Sequence, residues 1–132
     1  MKYLSLSIII LLLTVISCRP KHDNPEVKKL YDEVIEIHDE VMPKISDISK
    51  LRRKVRKKED QNSTTLALIK QLEDADDGMM SWMSDFQTYK SYSDSTKESK
   101  MKYLKMEKMK IQNVSDEMYS AINSAKEFLD EK

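Results

Sequence analysis

Glycine occurs only once in this chain of 132 residues, at Gly78, and proline occurs three times. Sheet proteins need turn residues about every 8 to 12 positions, and glycine-rich phosphate loops need several glycines close together. Neither requirement is met. Charged residues make up 35% of the chain, and lysine, glutamate, leucine, isoleucine and methionine are abundant, as in proteins built from long helices. The composition therefore predicts an all-α fold.

Apolar residues recur three and four apart in three segments, which is the spacing that places them on one face of a helix. The first segment spans 25–59. Asn24 is predicted to cap it, Pro25 suits its first position, and Pro43 predicts a kink because the apolar pattern keeps its phase there. Its predicted core face consists of Val27, Leu30, Val34, Ile37, Val41, Ile45, Ile48 and Val55.

The second and third segments span 64–89 and 96–130. Residues 61–64 offer capping groups to the second helix, and Gly78 weakens that helix by about 1 kcal/mol relative to alanine without ending it. Ser95 and Glu98 match a capping box at the start of the third helix. The predicted core faces are Thr65, Leu68, Leu72, Ala75, Met79, Met83, Phe86 and Lys90, flanked by Ile69 and Trp82, and then Met101, Leu104, Ile111, Val114, Met118, Ile122, Ala125 and Leu129.

Short connections between the segments predict a three-helix, up-down-up antiparallel bundle in which the first and third helices are parallel. Charge favours the same arrangement. The first helix begins acidic and ends in a basic run at 50–58, whereas the third begins with lysines and ends at Glu127, Asp130 and Glu131. Parallel packing brings each acidic end to a basic end. Exposed pairs contribute only about 0 to 1 kcal/mol each, so we expect them to select topology more than to add stability.

The first 17 residues have the pattern of a signal peptide, because Lys2 precedes an apolar run from Leu4 to Ile16. As a helix this run spans about 20 Å, against about 30 Å of membrane hydrocarbon, which disfavours a permanent transmembrane helix. The run ends in Val15-Ile16-Ser17-Cys18, which resembles the lipobox of bacterial lipoproteins. In that motif the small Ser17 suits the signal peptidase, and the sulfur of Cys18 receives a diacylglyceryl group. A secretory signal with a chance cysteine is the alternative.

The lipobox predicts a cleaved signal peptide at 1–17, a lipidated tether at 18–24 and a helical domain at 25–132. Cys18 is the only cysteine, so no internal disulfide can form. Lipid on Cys18 is expected to hold the protein on a membrane of the cell envelope. The sequence leaves open whether this is the inner or the outer membrane, and whether the domain faces the periplasm or the cell surface.

Composition and the placement of reactive residues exclude several function classes. Removal of Lys2 with the signal peptide leaves 22 basic and 23 acidic side chains, without the basic excess of a nucleic-acid binder. The single thiol is assigned to lipid, and the two histidines are His22 in the tether and His38 on the first helix. We therefore expect neither an enzyme nor a cofactor. The expected partners are the membrane, another envelope protein or peptidoglycan, and pairing with a second copy remains open.

A soft-metal site is the alternative function. His38 and Met42 lie four residues apart on one helical face, and Met79, Met80 and Met83 cluster on the second helix. Thioethers with imidazole suit Cu(I), and helical bundles often hold such sites. Methionine is also an adaptable core residue, which is the competing interpretation. The same choice applies to the aromatic row Trp82, Phe86 and Tyr89, for which core packing is favoured over an exposed binding face.

Three further stretches are distinctive: Tyr31-Asp32-Glu33-Val34-Ile35-Glu36-Ile37-His38-Asp39-Glu40-Val41-Met42-Pro43-Lys44, then Asp77-Gly78-Met79-Met80-Ser81-Trp82-Met83, and Tyr103-Leu104 with the charged helix after it. In these stretches the chain resembles a group of small lipoproteins from Bacteroidetes that are described as hypothetical or as similar to a viral A-type inclusion protein. The resemblance covers most of the mature chain and implies an envelope location without enzymatic activity. It brings no known ligand or catalytic residue.

Overall fold

The computed structural model describes residues 24–58, 62–88, 91 and 94–130. The regular structure in these ranges is helical and consists of α1 (Pro25–Val41), α2 (Lys44–Arg56), α3 (Ser63–Asp85) and α4 (Lys97–Phe128). The predicted all-α class is therefore confirmed. The predicted signal peptide, the lipidation site Cys18 and its neighbour Ser17 lie outside the described residues, as do Tyr89 and Lys90.

The first predicted helix is two helices, so the prediction of one kinked helix over 25–59 is corrected. Pro43 has no N–H to donate, and the next amides bond only three residues back, from Ile45 N–H to the Met42 carbonyl at 3.2 Å and from Ser46 N–H to the Pro43 carbonyl at 3.3 Å. The apolar phase nevertheless continues across the break. Residues seven apart in α1 and α2 are at most 1% exposed, namely Val27, Val34, Val41, Ile48 and Val55.

Side-chain caps begin three of the helices. Asn24 Oδ1 accepts hydrogen bonds from the amides of Glu26 and Val27, as predicted. Asn62 caps α3 in the same way through the amides of Thr64 and Thr65, at 3.0 and 3.1 Å.

The cap of α4 differs from the prediction. Thr96, rather than Ser95, is the N-cap residue, and its Oγ1 accepts from the Ser99 amide at 3.2 Å. Adjacent hydroxyl residues offer nearly equal caps, and here the extended backbone of Thr96 places its oxygen over the first turn. The predicted capping box of Ser95 with Glu98 is therefore wrong by one residue.

Ion pairs between helices define the direction in which they run. Glu26 pairs with Lys97 and Glu33 pairs with Lys108, each at 2.7 Å, so α1 and α4 run parallel. Gln71 of α3 lies within hydrogen-bond distance of Ser120 of α4, and the Gln87 amide after α3 donates to the Tyr103 hydroxyl, so α3 and α4 run antiparallel. The elements α1 and α2, followed by α3 and then α4, thus form an up-down-up bundle, with α4 against each of the others.

The basic end of the first predicted helix has partners beyond those predicted. Arg52 and Arg56 of α2 pair with Asp76 and Glu73 of α3. The reason is geometric: α3 starts directly after α2 and returns alongside it, which brings its acidic residues within reach of both arginines.

The core departs from the predicted stripes at a few positions. Met83 was predicted to be buried but is 40% exposed, and Trp82 with 7% exposure takes its place. Leu51 and Ala121 are buried although neither was expected, and Lys100, Glu107 and Ser115 of α4 are buried polar residues. Within the described ranges, no helix has the length and hydropathy needed to cross a membrane.

Candidate functional site

His38 lies where α1 contacts α3. Its Nδ1 is 2.9 Å from Asp39 Oδ1, and its ring centroid is 5.6 Å from that of Trp82. Because a carboxylate only accepts hydrogen bonds, this contact places a ring proton on Nδ1. The imidazole is thus oriented by one acidic neighbour and flanked by an indole.

The methionines predicted to accompany His38 fall into two environments. Met79 is completely buried in the main apolar cluster, and Met42 packs partly buried against that cluster. Met80 and Met83 are instead 43% and 40% exposed on α3. Among the described residues, no group of three or more histidine, cysteine or carboxylate side chains is arranged to hold a metal. Core packing accounts for Met79, whereas it does not account for Met80 and Met83.

An aromatic row at the carboxyl end of α3 contacts both α1 and α4. Trp82 stacks on Phe86 with ring centroids 4.7 Å apart, and Phe86 contacts Tyr31 of α1 and Tyr103 of α4 at 6.0 and 6.2 Å. Burial raises the pKa of both tyrosines above the ordinary value. In the described part of the row, Trp82 and Phe86 pack inside the bundle rather than form an exposed face.

A cleft of about 350 Å³ lies between α3 and α4. Five of its eight lining residues have polar or charged side chains. The lining residues are Gly78, Ser81, Trp82 and Asp85 from α3 and Glu107, Lys110, Asn113 and Val114 from α4. We call this feature the α3–α4 cleft.

Two polar atoms on residues of the α3–α4 cleft have no hydrogen-bond partner among the described residues. They are the indole N–H of Trp82 and Oε2 of Glu107, and both are shielded from solvent. Glu107 is only 3% exposed, and its other oxygen accepts a hydrogen bond from Lys110 Nζ at 2.8 Å, which raises the pKa of that lysine. An unpaired buried polar group costs about 1 to 3 kcal/mol. Two residues that line the cleft therefore each carry an unpaired polar atom at a cost to stability.

A second surface feature lies between α1 and the first half of α4. It is a shallow groove of about 900 Å³ that includes Leu30, Met106 and Met109 with Lys105, Lys108 and Lys110. Met106 is 42% exposed and Met109 is 63% exposed. We call these six residues the methionine–lysine surface.

The sequence contained a signal for the cleft that its apolar spacing alone did not reveal. Glu107 is three residues after Leu104 and four before Ile111, so a carboxylate occupies a position on the buried stripe of α4. A charged residue in phase with core residues marks either a buried pair or a site. Met106 and Met109 lie out of phase with the same stripe, which is the corresponding signal for an exposed apolar surface.

Comparison of the chain with protein-family models, with curated proteins and with solved structures gives no match.

Proposed function

We propose that this chain is a lipid-anchored protein of the cell envelope whose helical bundle is a non-catalytic binding module for another envelope protein or for peptidoglycan. The lipobox-like ending at Cys18 supports the anchor. The α3–α4 cleft supports the binding role and is the observation on which that role chiefly rests.

Buried polar groups are normally paired, so an unpaired donor and an unpaired acceptor in the same cleft require a reason. Hydroxyl and amide groups of a partner have the chemistry for both roles, because they accept from an indole N–H such as that of Trp82 and donate to a carboxylate oxygen such as Glu107 Oε2. The side chain of Lys110 is 55% exposed and pairs with Glu107, so we expect a partner to reach Glu107 when this side chain moves. Peptide and glycan groups both carry the required chemistry.

The described part of the chain also supports a non-catalytic role. His38 is paired with Asp39 and packed beside Trp82. Asp85 and Glu107 both line the cleft, but Glu107 is held by Lys110. A binding module needs no nucleophile, whereas a hydrolase needs one beside a base.

A capture experiment tests the proposal with a matched pair of variants. The intact lipoprotein is used as bait in detergent-solubilised envelopes, and its sedimentation with purified peptidoglycan is measured in parallel. Glu107→Gln keeps the side-chain shape but replaces the acceptor Oε2, so we expect it to lose most of the specific capture. Glu127→Gln changes an exposed glutamate on the same helix and should leave capture unchanged. Equal capture by the two variants, or none by the unmodified protein, contradicts the binding role.

Copper binding is the second candidate function, and the orientation of His38 favours it. Metal-binding histidines commonly donate their other ring N–H to a carboxylate, as His38 does to Asp39, and Met42 follows one turn later. Competition for Cu(I) against a colorimetric chelator tests this candidate. Affinity tighter than micromolar that is lost in His38→Asn supports it, and weaker binding removes it.

A further inference from the structure

The methionine–lysine surface combines apolar and cationic side chains without acidic ones. Met106 and Met109 are its exposed apolar members, and Leu30 of α1 lies beside them. Exposed apolar patches bordered by polar residues mark places where a protein meets another protein or a membrane. The occupant must therefore bury thioether side chains and accept lysine charges at its edge.

The lysines of this surface leave positive charge at its edge. Lys105 has no ion-pair partner among the described residues, whereas Lys108 pairs with Glu33 and Lys110 pairs with Glu107. Lys102 extends the basic character, since it lies one turn before Met106 on the same helical face, with Glu98 one turn further back. Lysines around an exposed apolar patch match the anionic headgroups and acyl boundary of a bilayer.

The position of the surface along the bundle favours a membrane as its occupant. The Glu26–Lys97 pair aligns the starts of α1 and α4. From there, Leu30 lies about 8 Å along the axis of α1, and Met109 lies about 18 Å along α4. The seven residues from Cys18 to Asn24 span at most about 25 Å in any conformation. A lipid on Cys18 therefore enters a bilayer within reach of this surface.

We propose that the methionine–lysine surface rests on the anionic surface of the membrane that carries the lipid anchor, which orients the bundle on its side. This inference rests on the lipid anchor of the proposed function but not on the nature of the partner in the cleft.

Spin labelling of the intact lipoprotein tests the orientation. The chain has one cysteine, which the lipid occupies, so Met109→Cys introduces a single thiol for a nitroxide. Leu66→Cys is the control, because Leu66 is 57% exposed at the start of α3, at the other end of the bundle. Each labelled protein is reconstituted in vesicles of phosphatidylglycerol with phosphatidylethanolamine, and in vesicles of phosphatidylcholine alone. Collision of the label with a water-soluble relaxing agent is then measured.

We expect the collision rate of the label at position 109 to decrease several-fold in the anionic vesicles only. The collision rate of the label at position 66 should stay unchanged in both kinds of vesicle. Lys105→Glu should reverse the protection at position 109, whereas Lys126→Glu, on the same helix near its other end, should not. Protein that is held by the vesicles but has equal collisions at the two positions overturns the orientation and leaves the anchor intact. Protein that the vesicles do not hold overturns both.

Discussion

Lys108 Nζ of α4 lies 2.7 Å from Oε2 of Glu33 on α1, and the Glu26–Lys97 pair repeats this relationship nearer the start of both helices. The two contacts place positive side chains of α4 beside negative side chains of α1 only when these helices run in the same direction. Charge patterning along the chain thus agrees with the order in which the helices pack, as expected of pairs that select topology.

These pairs predict how stability depends on acid. Hydrogen bonds from Lys108 and Lys97 lower the pKa of Glu33 and Glu26 below the ordinary value of 4.5. Carboxyl groups with a lowered folded-state pKa contribute stability above 4.5 that is lost as the pH falls through the lowered value. We expect the free energy of unfolding, measured by urea titration, to decrease with pH in that range.

Two lysine variants separate this effect from general acid sensitivity. Lys108→Met removes the partner of Glu33 and should make the free energy of unfolding depend less steeply on pH. Lys102→Met removes an exposed lysine that has no ion-pair partner in the described part of the chain, and should leave the decrease as it is. An equal change of slope in both variants would contradict the assignment.

The cap of α4 gives a prediction that discriminates between adjacent residues. Thr96→Ala removes the acceptor for the Ser99 amide and should reduce the free energy of unfolding by about 1 kcal/mol. Ser95→Ala should change it by less than about 0.5 kcal/mol, as for other exposed substitutions. Thermal and urea unfolding of the two variants measures this. A larger loss in Ser95→Ala would restore the capping box that the sequence predicted.

Gly78 should be replaceable by alanine with a gain in stability. It lies inside α3, and a Cβ at this position meets only Glu117 Oε2 at an ordinary 3.8 Å. Alanine is favoured over glycine in a helix interior by about 1 kcal/mol. Urea unfolding should therefore show Gly78→Ala to be more stable by about that amount, with Ser81→Ala as a neighbouring control. A loss of stability would mean that the wall of the α3–α4 cleft tolerates no added methyl group.

Lys110 should be more important to stability than its exposure suggests. Its removal in Lys110→Met leaves the nearly buried carboxylate of Glu107 without a charged partner, which should cost about 1 to 3 kcal/mol. Lys105→Met has no such consequence and serves as the control. The double variant Glu107→Met with Lys110→Met should recover much of the loss, because a buried pair is often replaceable by apolar residues. If the double variant does not regain stability, the bundle requires the charged pair of Glu107 and Lys110 in order to fold.

Much of the fold could be predicted because apolar spacing and charge are both periodic along this chain. The heptad positions from Val27 to Val55 keep one phase through Pro43. The predicted core face is therefore correct, although the chain forms two helices there instead of one. The parallel pairing of α1 with α4 followed from the short connections and from the sign of the charges. The pairing of Arg52 and Arg56 did not, because α3 also offers carboxylates, and only the structure shows which lie closer.

The cleft was harder to predict because it depends on local choices that periodicity does not resolve. Trp82 and Met83 are adjacent, and either could face the core. The larger indole is buried, and its N–H enters the interface unpaired. Glu107 occupies a core position that spacing reserves for an apolar residue. Whether such a residue is exposed, paired or part of a site depends on the neighbouring helix, which the sequence of α4 does not contain.

The lipid anchor is the central claim, and Cys18 is the residue that tests it most directly. Cells that express the chain or its Cys18→Ala variant are labelled with a clickable palmitate analogue and separated into membrane and soluble fractions. The account predicts that the unmodified chain is labelled and recovered with membranes, and that Cys18→Ala loses the label and does not mature to the lipid-anchored form. Absence of label from the unmodified chain, or equal label and membrane recovery for the variant, would contradict it.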